Sequence, residues 1–152
     1  MFRWINNATP LSVFLTFLLS GFVIYFLSLF NGFVVDDNVQ ILSNPIIRNL
    51  NISSLFFGSS YYAGDFANTA GIYYKPIFTL LTSILFNLSG GTPFLMHLAQ
   101  LLLHTTNSFL VYILFSKFFK KFLSIFLAFI FLVHPGNTES VVYISNLQDV
   151  LF

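Results

Sequence analysis

The sequence contains no cysteine, and only 7% of its residues are charged. The first absence removes disulfide frameworks, thiolate metal sites and cysteine nucleophiles. The second is more restrictive. Soluble domains carry about 25% charged residues, whereas this chain of 152 residues has six Lys and Arg and five Asp and Glu. Its net charge of +1 offers no field for a polyanion, which sets nucleic-acid binding aside. What is present instead is apolar: 57% of residues are hydrophobic and 22 are Phe, giving a mean hydropathy of +0.84. In water such a chain would expose apolar patches far beyond the few hundred Å² that monomers tolerate. A soluble enzyme and a disordered tail are excluded, and the chain reads as an all-α integral membrane protein.

Residues 11–30 form a charge-free apolar run of 20 residues, ending in Asn31-Gly32. At 1.5 Å per residue it just crosses a hydrocarbon core of about 30 Å. It lacks the small-residue cleavage site of a signal peptide and reads as a retained first span. A second span is expected over 94–116, opened by Thr92-Pro93 as cap and first-turn proline. The third, 118–133, is short and ends at His134-Pro135; Lys120 and Lys121 can snorkel to lengthen it. After an outer segment, 134–149, residues 150–152 read as the start of a fourth span.

Cation placement sets the expected topology. Arg3 before the first span and Lys117, Lys120 and Lys121 between the second and third are cytoplasmic by the positive-inside rule, which puts the N-terminus inside. The five acids, Asp36, Asp37, Asp65, Glu139 and Asp149, then all fall outside. Residues 31–93 make an outer loop far longer than an ordinary connection, and such loops tend to be functional. Within it, Asn44-Pro45 starts one short helix and Asn51 caps another through 53–57. Residues 58–71 are rich in Gly, Ser, Ala and Tyr and read as mobile. Tyr73-Tyr74-Lys75-Pro76 opens an apolar helix to about Leu88 that is too short to cross and is expected at the membrane interface.

Several residues stand out chemically. Asp36-Asp37 places two carboxylates beside an apolar interface, which is costly unless one is paired, protonated or bound to a cation. The plain reading is a solvated turn; the functional one is a general base or a cation ligand. His97, Gln100, His104 and Asn107 fall on one face of the second span, a polar stripe suited to packing against neighbouring helices. His97 and His104 are about 10.5 Å apart along the axis, too far to share one metal ion. Lys75 is a natural phosphate neighbour or an interfacial anchor, and Glu139 is either a pocket acid or a first-turn acid on an interfacial helix.

The order of these features resembles a known family. Asp36-Asp37, Asn44-Pro45-Ile46-Ile47 and Tyr73-Tyr74-Lys75-Pro76 are followed by His97, Gln100, His104 and Asn107. Then come His134-Pro135, Thr138-Glu139, Val141 and Gln148-Asp149. Over about residues 33–152 this is similar to the N-terminal membrane part of the transmembrane and tetratricopeptide-repeat O-mannosyltransferases and their bacterial relatives, which are GT-C glycosyltransferases. Lys75 is often Arg in that family, Gln100 often Asn, and Gln148 often Arg. The resemblance implies a GT-C fold with further membrane helices, followed in family members by helical repeats. It also implies transfer of a sugar such as mannose from a polyprenyl-phosphate carrier to an acceptor hydroxyl, on a protein or glycan, at the outer face. Asp36 would be the base with Asp37 in support, and Lys75 would meet the donor phosphate. Glu139, Asp149 and His134 would line the outer pocket. No metal site is indicated by spacing, although the chemistry admits a divalent cation. A bacterial inner membrane is favoured over the endoplasmic reticulum. A membrane scaffold subunit and a transport component are the competing classes; acids gathered on one face favour the enzyme.

Overall fold

The computed structural model describes residues 8–50, 53 and 74–151. Helix α1, Pro10–Tyr25, tightens into a 3-10 segment, Phe26–Phe30. A π-helical turn, Asn38–Leu42, and the short α2, Pro45–Arg48, follow. Then come α3, Pro76–Leu88, and the long α4, Phe94–Phe115. Helix α5, Lys121–Val133, leads into α6, Pro135–Val142, a 3-10 turn, Ile144–Asn146, and α7, Leu147–Leu151. Residues 54–71 and the proposed Asn51 cap lie outside the described residues.

Local chemistry explains most helix starts. Thr9 Oγ1 accepts the Ser12 N–H at 3.2 Å and caps α1, and Pro10 occupies the first turn, where its missing N–H costs nothing. Asn44 Oδ1 does the same for Ile46 N–H at 3.0 Å ahead of Pro45. At α4 the cap falls one residue later than expected. Pro93 is the cap position and makes no side-chain bond, because the Thr92 hydroxyl donates to the Ser89 carbonyl at 3.1 Å instead.

The segment Pro10–Phe30 and helix α4 are each long and apolar enough to cross a membrane. Helix α5 is too short alone, at 13 residues, but is joined to α6 across a 56° bend. The bend falls at Pro135, whose ring cannot continue a helix hydrogen-bond ladder. Leu11, Leu15, Leu19 and Val23 along α1 and Leu27 in the 3-10 segment stand exposed. Their four-residue spacing makes one apolar stripe, the side suited to lipid or to further helices.

Helices α1, α4 and α5 pack through Val13, Phe17, Tyr112, Ala128 and Leu132. Gly21 is buried where α1 meets α4; a Cβ there would lie 2.2 Å from Thr105 Cγ2. Only glycine allows that approach, as in small-residue contacts between membrane helices. A second cluster joins Tyr25 and Leu29 to Leu101 and Val141, and a third gathers Ile41, Ile47, Met96 and Ile144. The last two clusters fix the polypeptide on either side of the acid pair.

Candidate active site

The C-terminal end of α5 shows how the bundle satisfies its backbone. Terminal helix carbonyls have no partner within their own helix, and hydrocarbon cannot supply one. The Leu132 carbonyl accepts the Tyr25 hydroxyl from α1 at 2.9 Å and meets His104 Nε2 from α4 at 3.0 Å. Since a carbonyl can only accept, Nε2 carries the proton in that contact. The Phe131 carbonyl accepts Asn137 Nδ2 at 2.9 Å.

Three residues of the α4 stripe act on the end of α5 and the chain that follows it. Gln100 Nε2 donates to the Ser140 and Tyr143 carbonyls at 3.0 and 2.7 Å. His104 holds Leu132, and Asn107 Nδ2 donates to the Val150 carbonyl at 2.7 Å. His97, Gln100 and His104 are buried and Asn107 is half-buried. Helix α4 therefore works as a rack on which the segment 132–150 is hung. His97 differs from the others: neither ring nitrogen makes a hydrogen bond of good geometry, although the Asn31 backbone and the Asp37 carboxylate lie close enough to act on it. Gln40 Oε1, Thr82 Oγ1 and Gln100 Oε1 are likewise buried and unpartnered.

The hung segment meets the loop that follows α1, and there the two adjacent acids have different surroundings. Asp37 is fully buried. Its Oδ2 accepts Val34 N–H at 2.9 Å, and its Oδ1 accepts the Ser145 N–H at 2.9 Å and the Ser145 hydroxyl at 2.5 Å. Three donors replace the water that a buried carboxylate has lost. Asp36 is exposed, and its backbone N–H donates to the Tyr143 hydroxyl oxygen at 3.0 Å. One turn of chain, 143–145, thus holds both acids from more than 100 residues away.

Immediately before Asp36, Val35 has a φ of 28°. A β-branched residue there is strained, and such strain persists only where surrounding bonds over-determine the backbone. Here the Asp37 and Tyr143 bonds bracket it. Burial, partly offset by the bond from the Asp36 backbone and reinforced by the charges of both acids, holds the Tyr143 phenol above its ordinary value. The arrangement presents one open carboxylate on a strained, clamped turn, a geometry suited to taking a proton from a bound hydroxyl.

The other sequence-derived residues are placed separately. Lys75 caps α3 with its ammonium 5.9 Å from the Phe78 ring centre. Glu139 is exposed on α6. His134 is exposed, and its Nδ1 accepts Gly136 N–H at 3.1 Å, capping α6. Asp149 is exposed on α7, one residue before the Val150 carbonyl that Asn107 holds midway along α4. Among the described residues no three His, Asp or Glu side chains gather as a metal site. A groove of about 360 Å³ opens between α1 and α6, lined by Tyr25, Ser28, Asn31, Thr138 and neighbouring aliphatics. Tyr143 and Ser145 escaped the sequence reading because they sit in an apolar stretch; the phenol and hydroxyl among aliphatics were the available signal.

No protein-family profile matches the chain, and no solved structure is significantly similar to it. Curated proteins do match. Human protein O-mannosyl-transferase TMTC1 is 32% identical over 128 residues, and its mouse counterpart 31% over 128. Human protein O-mannosyl-transferase TMTC3 is 28% identical over 132 residues. The chain spans about 14% of the length of each of these relatives. Over some four-fifths of its own length, it is therefore related to the TMTC protein O-mannosyl-transferases.

Proposed function

We propose that these residues form part of a GT-C-type membrane glycosyltransferase. In this reading α1, α4 and the bent α5–α6 pair are three spans, with the N-terminus cytoplasmic and the acid end of the bundle outside, in a bacterial inner membrane. The donor is a polyprenyl-phosphate sugar, mannose by analogy with the names of the relatives, and the acceptor is a hydroxyl on a protein or glycan. Asp36 removes the acceptor proton as the hydroxyl oxygen attacks the anomeric carbon. The bond from that carbon to the phosphate oxygen breaks, and its electron pair leaves on the lipid phosphate. Lys75 meets the charge that develops there, as preorganised cationic groups do in such transition states. Glu139, Asp149 and His134 border the acceptor side. A divalent cation remains compatible with the chemistry but is required by none of these contacts, and further helices complete the donor pocket.

The observation that carries this reading is the division of labour in the acid pair. Asp37 is consumed by the fold, whereas Asp36 is exposed on a clamped backbone. The kinship with proteins named O-mannosyl-transferases supports the reaction class. The test is Asp36→Asn in the intact protein, reconstituted with polyprenyl-phosphate mannose and a Ser/Thr-containing acceptor. Loss of a general base lowers rate by about 10²–10⁴-fold, so transfer should fall by that order with the fold unchanged. Near-wild-type transfer would remove Asp36 as base and return it to a solvated turn.

A further inference from the structure

We propose that the lysine end of the bundle binds an anionic phospholipid, with an acyl chain in the groove between α1 and α5 and the headgroup on the lysines that join α4 to α5. The site lies at the opposite end from the acid pair and is independent of the sugar-transfer reading. The groove has a volume of about 520 Å³, within the range of about 300–1,000 Å³ usual for small-molecule sites. One wall is Ala8 and Thr9 with Ser12 and Thr16 of α1, and the other is Ile125 and Phe129 of α5. Its floor is Val13 and Phe17, which are buried.

The walls are polar in sequence but not toward a ligand. The Ser12 hydroxyl donates to the Thr9 carbonyl and the Thr16 hydroxyl to the Ser12 carbonyl, each at 2.8 Å. Both protons are thus spent on their own helix turn, and what faces the groove is hydrocarbon. Its dimensions favour a chain over a helix. From Thr9 to Phe17 the groove runs about 12 Å at 1.5 Å per residue, so a volume of about 520 Å³ leaves a mean cross-section of about 40 Å². A helix with side chains, about 10 Å across, needs about twice that. An acyl chain, one methylene wide, fits.

Charge identifies the headgroup. Lys121, Ile125 and Phe129 are spaced by four residues and share a face of α5, so a cation stands at the foot of the apolar wall. The Lys121 ammonium donates to the Ala8 carbonyl, tying the two walls together there. Lys117 and Lys120 are exposed in the connection before α5. They alternate with Phe118, Phe119 and Phe122, which are exposed as well, an arrangement suited to the boundary between headgroups and acyl chains. Helix α5 opens without a side-chain cap, and the positive end of its dipole adds to the lysine field. Helices α1, α4 and α5 contain no Asp or Glu, so no acid on them offsets that field. Basic pockets between membrane helices take anionic headgroups in this way, each lysine near the surface favouring them by about fivefold.

The test places the intact protein in phosphatidylcholine nanodiscs with a trace of lipid carrying a photoreactive diazirine on its acyl chain. The probe is either phosphatidylglycerol or phosphatidylcholine, and labelled peptides are read by mass spectrometry. The phosphatidylglycerol probe should label the peptides carrying Thr16 and Phe129 in preference to the phosphatidylcholine probe. Lys117→Gln combined with Lys120→Gln should lower that labelling by about 30-fold, at about fivefold per lysine. Thr16→Trp, which fills the groove, should remove the label from the Phe129 peptide with the lysines in place. If the Trp variant does not fold, the lysine pair decides, since both side chains are exposed. Equal labelling by the two probes, or labelling unmoved by loss of the lysines, overturns the proposal and leaves ordinary boundary lipid. Absence of label from both walls with either probe also overturns it, and gives the groove to a further helix of the protein.

Discussion

Asp37→Ala is the most incisive perturbation of this site, because the structure gives the Asp37 carboxylate to the fold and the proposed function gives Asp36 to chemistry. The side chain accepts from three donors, Val34 N–H, Ser145 N–H and Ser145 Oγ, and is fully buried. Removing it leaves those donors without their acceptor. An unsatisfied buried donor costs about 1–3 kcal/mol, and the neighbouring turn is exposed enough for partial rehydration, so the low end applies: about 3 kcal/mol in total. That is equivalent to on the order of 100-fold in a local opening equilibrium. Hydrogen exchange by mass spectrometry on the reconstituted protein reads it directly. The peptides carrying Val34 and Ser145 should exchange faster by that order, and the helices α4 and α5 much less. Asp37→Asn should fall between, since an amide keeps one acceptor oxygen but turns an NH₂ toward a donor. Asp36→Asn should leave both amides protected. Unchanged exchange at Val34 and Ser145 in the Ala variant would mean that the clamp does not hold the turn.

Other expectations follow from single contacts. Gly21→Ala places a methyl against Thr105 Cγ2 and should cost about 1–3 kcal/mol by overpacking; Thr105→Ser, which lacks that methyl, should restore most of the thermal midpoint, and failure of the rescue would relocate the α1–α4 contact. The Tyr143 phenol is held above its ordinary value of 10.0, chiefly by burial. Its contribution to stability is therefore complete below pH 10 and lost as pH rises through the folded value. Melting between pH 9 and 11.5 should show the wild type losing more than Tyr143→Phe, and parallel curves would contradict this. The chain has no cysteine, so single-cysteine labelling is clean. Under the proposed topology, Phe119→Cys reacts only from the cytoplasmic side and Glu139→Cys only from the outer side; the reverse pattern refutes the orientation.

What the sequence settled on its own is the medium and the helices. Two long apolar runs with almost no charge admit no other solvent than a bilayer, where only internally bonded backbone survives. The helix start at Asn44-Pro45 was legible because a cap is a local matter of a side-chain oxygen two residues from an orphan N–H. The polar stripe of α4 was visible through its spacing, though not which carbonyls it would hold. The second span was expected from residue 94 and α4 begins there; its cap was misplaced by one residue because Thr92 had a competing partner, Ser89, in the preceding turn. The difference between Asp36 and Asp37 lay beyond sequence reading altogether. Both are acids in adjacent positions, and only the packing of a turn from more than 100 residues away buries one and leaves the other exposed. Long-range contacts of that kind are set by how α4 hangs the later segment, through Gln100, His104 and Asn107. Local propensity carries no record of them, so the surroundings of each carboxylate were decided by tertiary structure alone.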